Sequence, residues 1–137
     1  MNSKRECFYF DLQKEMKGQK TGATAWTPAT SLIISLHETL KTILSIGLDS
    51  FIKKHYLMAD ACREGLEAIG LELLAKTDYS SSLTSVKVPK SINGIELLSL
   101  LQTKYNSYFA GGQDSLKGKI IRIAHLGFVD EFDLVHN

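Results

Sequence analysis

Arg122 is the residue here whose type and setting most clearly call for a partner. It lies in FAGGQDSLKGKIIRIAHLGFV, residues 109–129. Read as a strand, residues 119–125 put Ile120, Arg122 and Ala124 on one face and Lys119, Ile121, Ile123 and His125 on the other. A guanidinium among apolar neighbours keeps its charge, so it requires a carboxylate or phosphate that takes its fork, from the protein or from a ligand. Asp114 and Asp130 are the internal candidates, and on the residues alone an internal ion pair is the commoner arrangement. The pair Gly111-Gly112 just upstream permits positive φ and a close approach of backbone to a ligand or another element.

Other chemistries find less support. His37-Glu38 lacks the second histidine of a zinc-protease helix. His55 sits on an apolar helical stripe and reads as a satisfied core histidine. His125 points away from Arg122, so packing is its expected role. AGGQDSLKGK lacks the closing Lys-Ser/Thr of a phosphate loop and the spacing of a dinucleotide fingerprint. Serines 80–82 have no nucleophile-elbow context, and Lys14, Lys17 and Lys20 have no apolar pocket to activate an amine. Cys7 and Cys62 are far apart without metal spacing and read as free thiols of a reducing cytoplasm, Cys62 buried on a helix.

These residues must be positioned by one modest core. The chain has 137 residues, 44% of them hydrophobic, and a net charge of +1, which fits a single domain. Its basic pairs, Lys4-Arg5 and Lys53-Lys54, are isolated, which argues against a nucleic-acid surface. MNSKRECFYF lacks the apolar core of a signal peptide, and SLIISL is far too short for a bilayer, so a cytoplasmic location is expected. Residues 1–26 hold little that folds alone; the aromatic run in CFYFDL either packs on something outside the chain or covers one edge of the core. Thr27-Pro28 is a helix start, with the threonine as cap. Leu32, Ile33, Leu36, Leu40, Ile43 and Leu44 then recur at helical spacing to Gly47. A second helix begins near Asp49 or Ser50, with Ile52, His55, Ala59, Cys62, Leu66 and Ile69 on one face, and Gly65 within it suggests close packing. After the loop AKTDYSSS, LTSVKVP reads as a strand. Ser91 or Asn93 caps a third helix with Ile95, Leu98, Leu101 and Tyr105 inward. Strands SYFAG and KIIRIAH follow, then a helix of about two turns from Asp130. The expected fold class is α+β, a small antiparallel or mixed sheet of about three strands with helices packed on one face. A compact domain over 27–137 would follow a poorly structured arm over 1–26.

TGATAWTPATSLIISLHETLK, GLDSFIKKHYLMADACREGLEAIGLELLAK, SSLTSVKVP and YFAGGQDSLKGKIIRIAHLGFVDEFDLV together resemble the C-terminal (small) domain of class V aminotransferases. These are fold-type I pyridoxal-phosphate enzymes that include alanine–glyoxylate and serine–glyoxylate aminotransferases and relatives labelled soluble hydrogenase subunits. The likeness covers nearly the whole chain, and GG-x5-GKxxRIxHxG is its most specific block. It implies that Arg122 binds the substrate carboxylate, that Gly111 and Gly112 shape the wall beside it, and that Thr27 serves the cofactor phosphate of a neighbouring subunit, with Thr24 a weaker match. It also implies small amino acid and 2-oxo acid substrates, a homodimer in the complete protein, and a Schiff-base lysine in an N-terminal large domain upstream of residue 1. A fragment of this kind would not bind pyridoxal phosphate or catalyse alone. The rival expectation is a stand-alone binding or regulatory domain that captures a small anionic metabolite at Arg122. No metal or membrane partner is expected.

Overall fold

The computed structural model describes residues 8–136. Cys7 and the Lys4-Arg5 pair lie outside the described residues. Internal contacts divide the chain into two units, Met1–Ser45 and Ile46–Asn137.

The first unit holds α1 (Leu12–Gln19) and nearly all of α2 (Thr30–Ile46). Helix α1 forms where the sequence reading expects little structure. Asp11 caps it by accepting from the amides of Gln13 and Lys14 at 3.0 and 3.1 Å. Glu15 then accepts from Gln19 Nε2 at 2.7 Å and from the Ala25 amide at 3.1 Å. These bonds hold its carboxyl below the usual range and pin the following loop to the helix. Phe8 and Tyr9 pack on Trp26, with ring centroids 4.4 and 5.1 Å away, and the Lys14 ammonium sits 3.7 Å from the Trp26 centroid. Helix α2 begins two residues later than expected. The Ala29 carbonyl accepts its first helical bond, from Ile33 N, so Thr27 is not the cap. Its apolar stripe is largely exposed, Leu32 by 70% and Leu44 by 75%.

The second unit is the α+β layer. Helix α3 runs Leu48–Ala68 and α4 Gly94–Tyr105, while α5 is the six-residue Glu131–His136. The strands are β1 (Leu83–Lys87), β2 (Ala110–Gly111) and β3 (Ile120–Ala124). They form one antiparallel sheet in the order β1-β3-β2, so the strand carrying Arg122 is central. Leu73 bridges to Val86 and extends the sheet beyond β1 within a stretch the sequence did not mark as strand. There the Lys87 ammonium donates to Glu72 at 2.7 Å and Lys76 pairs with it at 2.9 Å, holding the Glu72 carboxyl at about 2.

The core faces the helices. Thr84, Val86 and Ile121 on the sheet meet Met58, Ala59 and Cys62 of α3, and all six are buried. Ile52 and Ile69, expected on that stripe, are exposed at its ends, as are Ile95 and Tyr105 of α4. Gly65 faces open space, so close packing is not its reason. Asn93, one of the two expected caps of α4, accepts from the amides of Ile95 and Glu96. Asn106, left-handed at φ 54°, ends that helix, and residues 107–109 of the expected strand SYFAG are irregular.

Gly112 answers a steric need. A Cβ there would lie 2.2 Å from the Leu116 carbonyl oxygen, because the 3₁₀ turn Asp114–Leu116 folds back against it. Gly112→Ala is therefore expected to destabilise the fold by about 2 kcal/mol, read as a lower denaturant midpoint. A wild-type midpoint would mean that the turn yields freely.

Candidate functional site

The pairing of β3 with both neighbours decides what surrounds Arg122. Ser85 of β1 and Ala110 of β2 are its register partners, so two small side chains flank the guanidinium. The helices lie on the other face, where Gly111, opposite Ile121, comes within 3.0 Å of Leu98 when given a Cβ. Arg122 is half-buried and its Nε donates to the Gly111 carbonyl at 2.9 Å. That bond, made across the sheet, aims the outer fork; no hydrogen bond among the described residues engages Nη1 or Nη2. Neither Asp114 nor Asp130 pairs with it, and among the described residues no carboxylate lies within 4.0 Å. The internal ion pair is thus absent there.

Gly111 meets Arg122 through its carbonyl, whereas Gly112 packs against Leu116 and Ile120. Neither has positive φ, so close approach rather than handedness is their reason. Thr24 and Thr27 belong to the other unit. The Thr24 hydroxyl donates to the Trp26 carbonyl, whereas Thr27 is exposed and its hydroxyl makes no hydrogen bond among the described residues.

Arg122 also lines a cavity of about 630 Å³ that takes in both faces of β3, Arg122 and Ala124 with Ile123 and His125, and is walled by Met58, Cys62 and Leu66 of α3 with Phe109 and Val129. Behind the strand, on the packed face, His125 is fully buried, and its Nε2 lies 2.9 Å from Thr84 Oγ1. Nδ1 has no hydrogen-bond partner among the described residues. Burial holds this imidazole below its ordinary pKa, as expected for a packed, neutral ring. Cys62 is free and buried, and burial pushes its thiol up, with Thr84 hydrogen-bonding the thiolate form as the opposing influence. These positions match the sequence reading of both residues. Not foreseen was the hydrogen bond to the Gly111 carbonyl, since no periodicity reports which backbone oxygen a side chain meets. Among the described residues, no group of three or more His, Cys, Asp or Glu could hold a metal ion, and no single helix is long and apolar enough to cross a membrane.

No protein-family model matches the chain. An uncharacterized aminotransferase of Methanocaldococcus jannaschii is 38% identical over 136 residues, which is 98% of this chain and 35% of that protein. A serine–glyoxylate aminotransferase of Hyphomicrobium methylovorum is 31% identical over 132 residues, 95% of this chain and 33% of that protein. The crystal structure of an alanine–glyoxylate aminotransferase from Nostoc sp. superposes with a TM-score of 0.88 at 26% identity, covering 99% of this chain and 37% of that one. Over nearly its whole length the chain is homologous to class V aminotransferases. Its fold is that of the C-terminal small domain of these aminotransferases, and it spans about a third of the length of the curated relatives it matches.

The buried imidazole makes a prediction about acid. Unfolded histidine titrates near pH ~6.5, and folded His125 titrates lower, so the unfolded chain binds the proton more tightly. Stability from this group is fully present above the unfolded value and is lost as pH falls through it toward the folded one. The denaturant midpoint should drop between about pH 7 and about pH 5, and His125→Gln should flatten the drop. Equal slopes in the two proteins would contradict this.

Proposed function

We propose that the protein carrying this chain is a pyridoxal-phosphate-dependent aminotransferase. It transfers an amino group from a small amino acid such as alanine or serine to a 2-oxo acid such as glyoxylate or pyruvate. Arg122 binds the substrate carboxylate. The observation that carries this reading is the guanidinium itself, fixed at Nε by a backbone carbonyl and left without a carboxylate among the described residues. Two parallel N–H groups at Nη match a carboxylate fork, and the small neighbours Ser85 and Ala110 leave room for one. Holding the acid group at one end sets the reacting carbon at a fixed distance.

Pyridoxal phosphate supplies an electron sink for the carbon that bears the amino group. The residues present fit its phosphate end: the Thr27 hydroxyl, which makes no hydrogen bond among the described residues, precedes the 17-residue helix α2, and the first amides of a helix are ready phosphate donors. Thr27 and those amides would hold the phosphate of a neighbouring subunit in a homodimer, while Thr24 would first have to release Trp26. The exposed stripe of α2 supports packing against further polypeptide, as a large domain would provide. The Schiff-base lysine is assigned to that domain, and these residues alone are inactive. Capture of a small anionic metabolite at Arg122 without catalysis is the second reading. It is favoured by one fact, that no lysine among the described residues is buried.

Arg122→Ala in the full-length protein should lose about 3 kcal/mol of carboxylate binding in the transition state, roughly two orders of magnitude in kcat/KM. Steady-state kinetics with glyoxylate and pyruvate measure it, and unchanged values remove Arg122 from the site. Saturable glyoxylate binding with no amino transfer would select the second reading. Residues 1–137 mixed with pyridoxal phosphate and reduced with borohydride should show no fully labelled lysine; one such lysine would contradict the assignment of the Schiff base elsewhere.

A further inference from the structure

His55 lies half-buried on α3, with its ring centroid 4.5 Å from that of Phe51. Its Nδ1 is 2.8 Å from the Phe51 carbonyl oxygen, which can only accept, so Nδ1 carries the proton and donates. In the neutral ring Nε2 is then an acceptor. It takes the Gly127 amide at 3.3 Å, a bond between residues 72 apart in sequence.

Gly127 follows Arg122 by five residues and turns the chain at φ 86°, a left-handed conformation that favours glycine. Strand β3 is held by β1 as far as Ala124, and the His125 amide donates to the Ser82 carbonyl at 3.1 Å. Beyond that point no strand pairs with the chain until α5 packs on α3. Leu126 and Phe128 are exposed, Phe128 by 95%, and among the described residues 126–129 make no hydrogen bond other than the one to His55. Val129 and Asp133, two and six residues past the turn, line the same cavity as Arg122. The turn at Gly127 and the packing of α5 on α3 together set that wall of the cavity, and the turn is the part that His55 holds.

We infer that His55 is a positioning residue: by holding the Gly127 amide it fixes the Val129–Asp133 wall against which a carboxylate substrate is held by Arg122. The inference rests on the carboxylate reading of Arg122. A neutral hydrogen bond in this place tunes substrate binding without touching the reacting atoms.

The test separates the two bonds of one ring in the full-length protein. His55→Asn retains a donor toward Phe51 but is too short to reach Gly127, whereas His55→Gln can place an oxygen near the Nε2 position. Hydrogen exchange of the peptide covering 126–129, read by mass spectrometry, should quicken about fivefold in the Asn variant, the worth of one neutral hydrogen bond. The KM for the 2-oxo acid should rise about fivefold with kcat within about twofold, and His55→Gln should restore both. Wild-type exchange in the Asn variant overturns the inference, and so does faster exchange with unchanged KM, which would make the bond structural only. If the Asn variant does not fold, His55→Gln decides: near-wild-type exchange and KM uphold the inference, and a clear rise in either overturns it. An unchanged KM in Arg122→Ala would sink the carboxylate reading by itself, while exchange at 126–129 still reports on the His55 contact.

Discussion

A guanidinium placed on a sheet needs something to hold it still, and here a backbone carbonyl does so. Arg122 Nε donates to Gly111 across the β2–β3 pair, which removes most of the freedom of a long side chain and leaves the outer nitrogens facing away from the strand. The bond exists only while β2 keeps its register, and β2 is two residues long. Its register is protected from the other side by the 3₁₀ turn at Asp114–Leu116, packed so closely on Gly112 that no side chain fits. The turn, the short strand and the cation thus form one mechanical unit.

The two faces of that sheet do different work. Toward the helices, Thr84 links His125 and Cys62, so the polar atoms buried there are partnered, apart from His125 Nδ1 among the described residues. Burying such groups is tolerable only when they are bonded and uncharged, which is why burial shifts both the imidazole and the thiol toward their neutral forms. On the opposite face, Ser85 and Ala110 are the register partners of Arg122, and Ile120 beside it is buried. One strand therefore carries a neutral histidine into the core and a permanent cation out of it, through the alternation of its side chains.

The first unit follows another logic. Its order comes from local bonds, Asp11 at the helix start, Glu15 reaching Ala25, and aromatic rings around Trp26. Its helix α2 has the apolar periodicity of a buried element and is nonetheless exposed. Together with the third of their length that the curated relatives share with this chain, the stripe fits a surface made to be covered.

Much of the second unit was legible in the sequence because local periodicity carries it. The spacing of Ala59, Cys62 and Leu66 marks α3, the alternation in LTSVK and KIIRIAH marks two strands, and the apolar surroundings of Arg122 mark it as a residue in need of a partner. Helix α1 was missed because Leu12 and Met16 are its only large apolar residues and its start depends on one aspartate cap. Gly65 and Thr27 were misread because a glycine or a Thr-Pro pair allows a local geometry without requiring it. The sequence by itself determined which residue types alternate on which strand, and hence that Arg122 and His125 point to opposite faces. Only the tertiary structure decided that the Gly111 oxygen meets Arg122, that Asp114 and Asp130 do not, and that His55 reaches Gly127. Such contacts join residues far apart in the chain, and their geometry depends on register and packing, which no local pattern encodes.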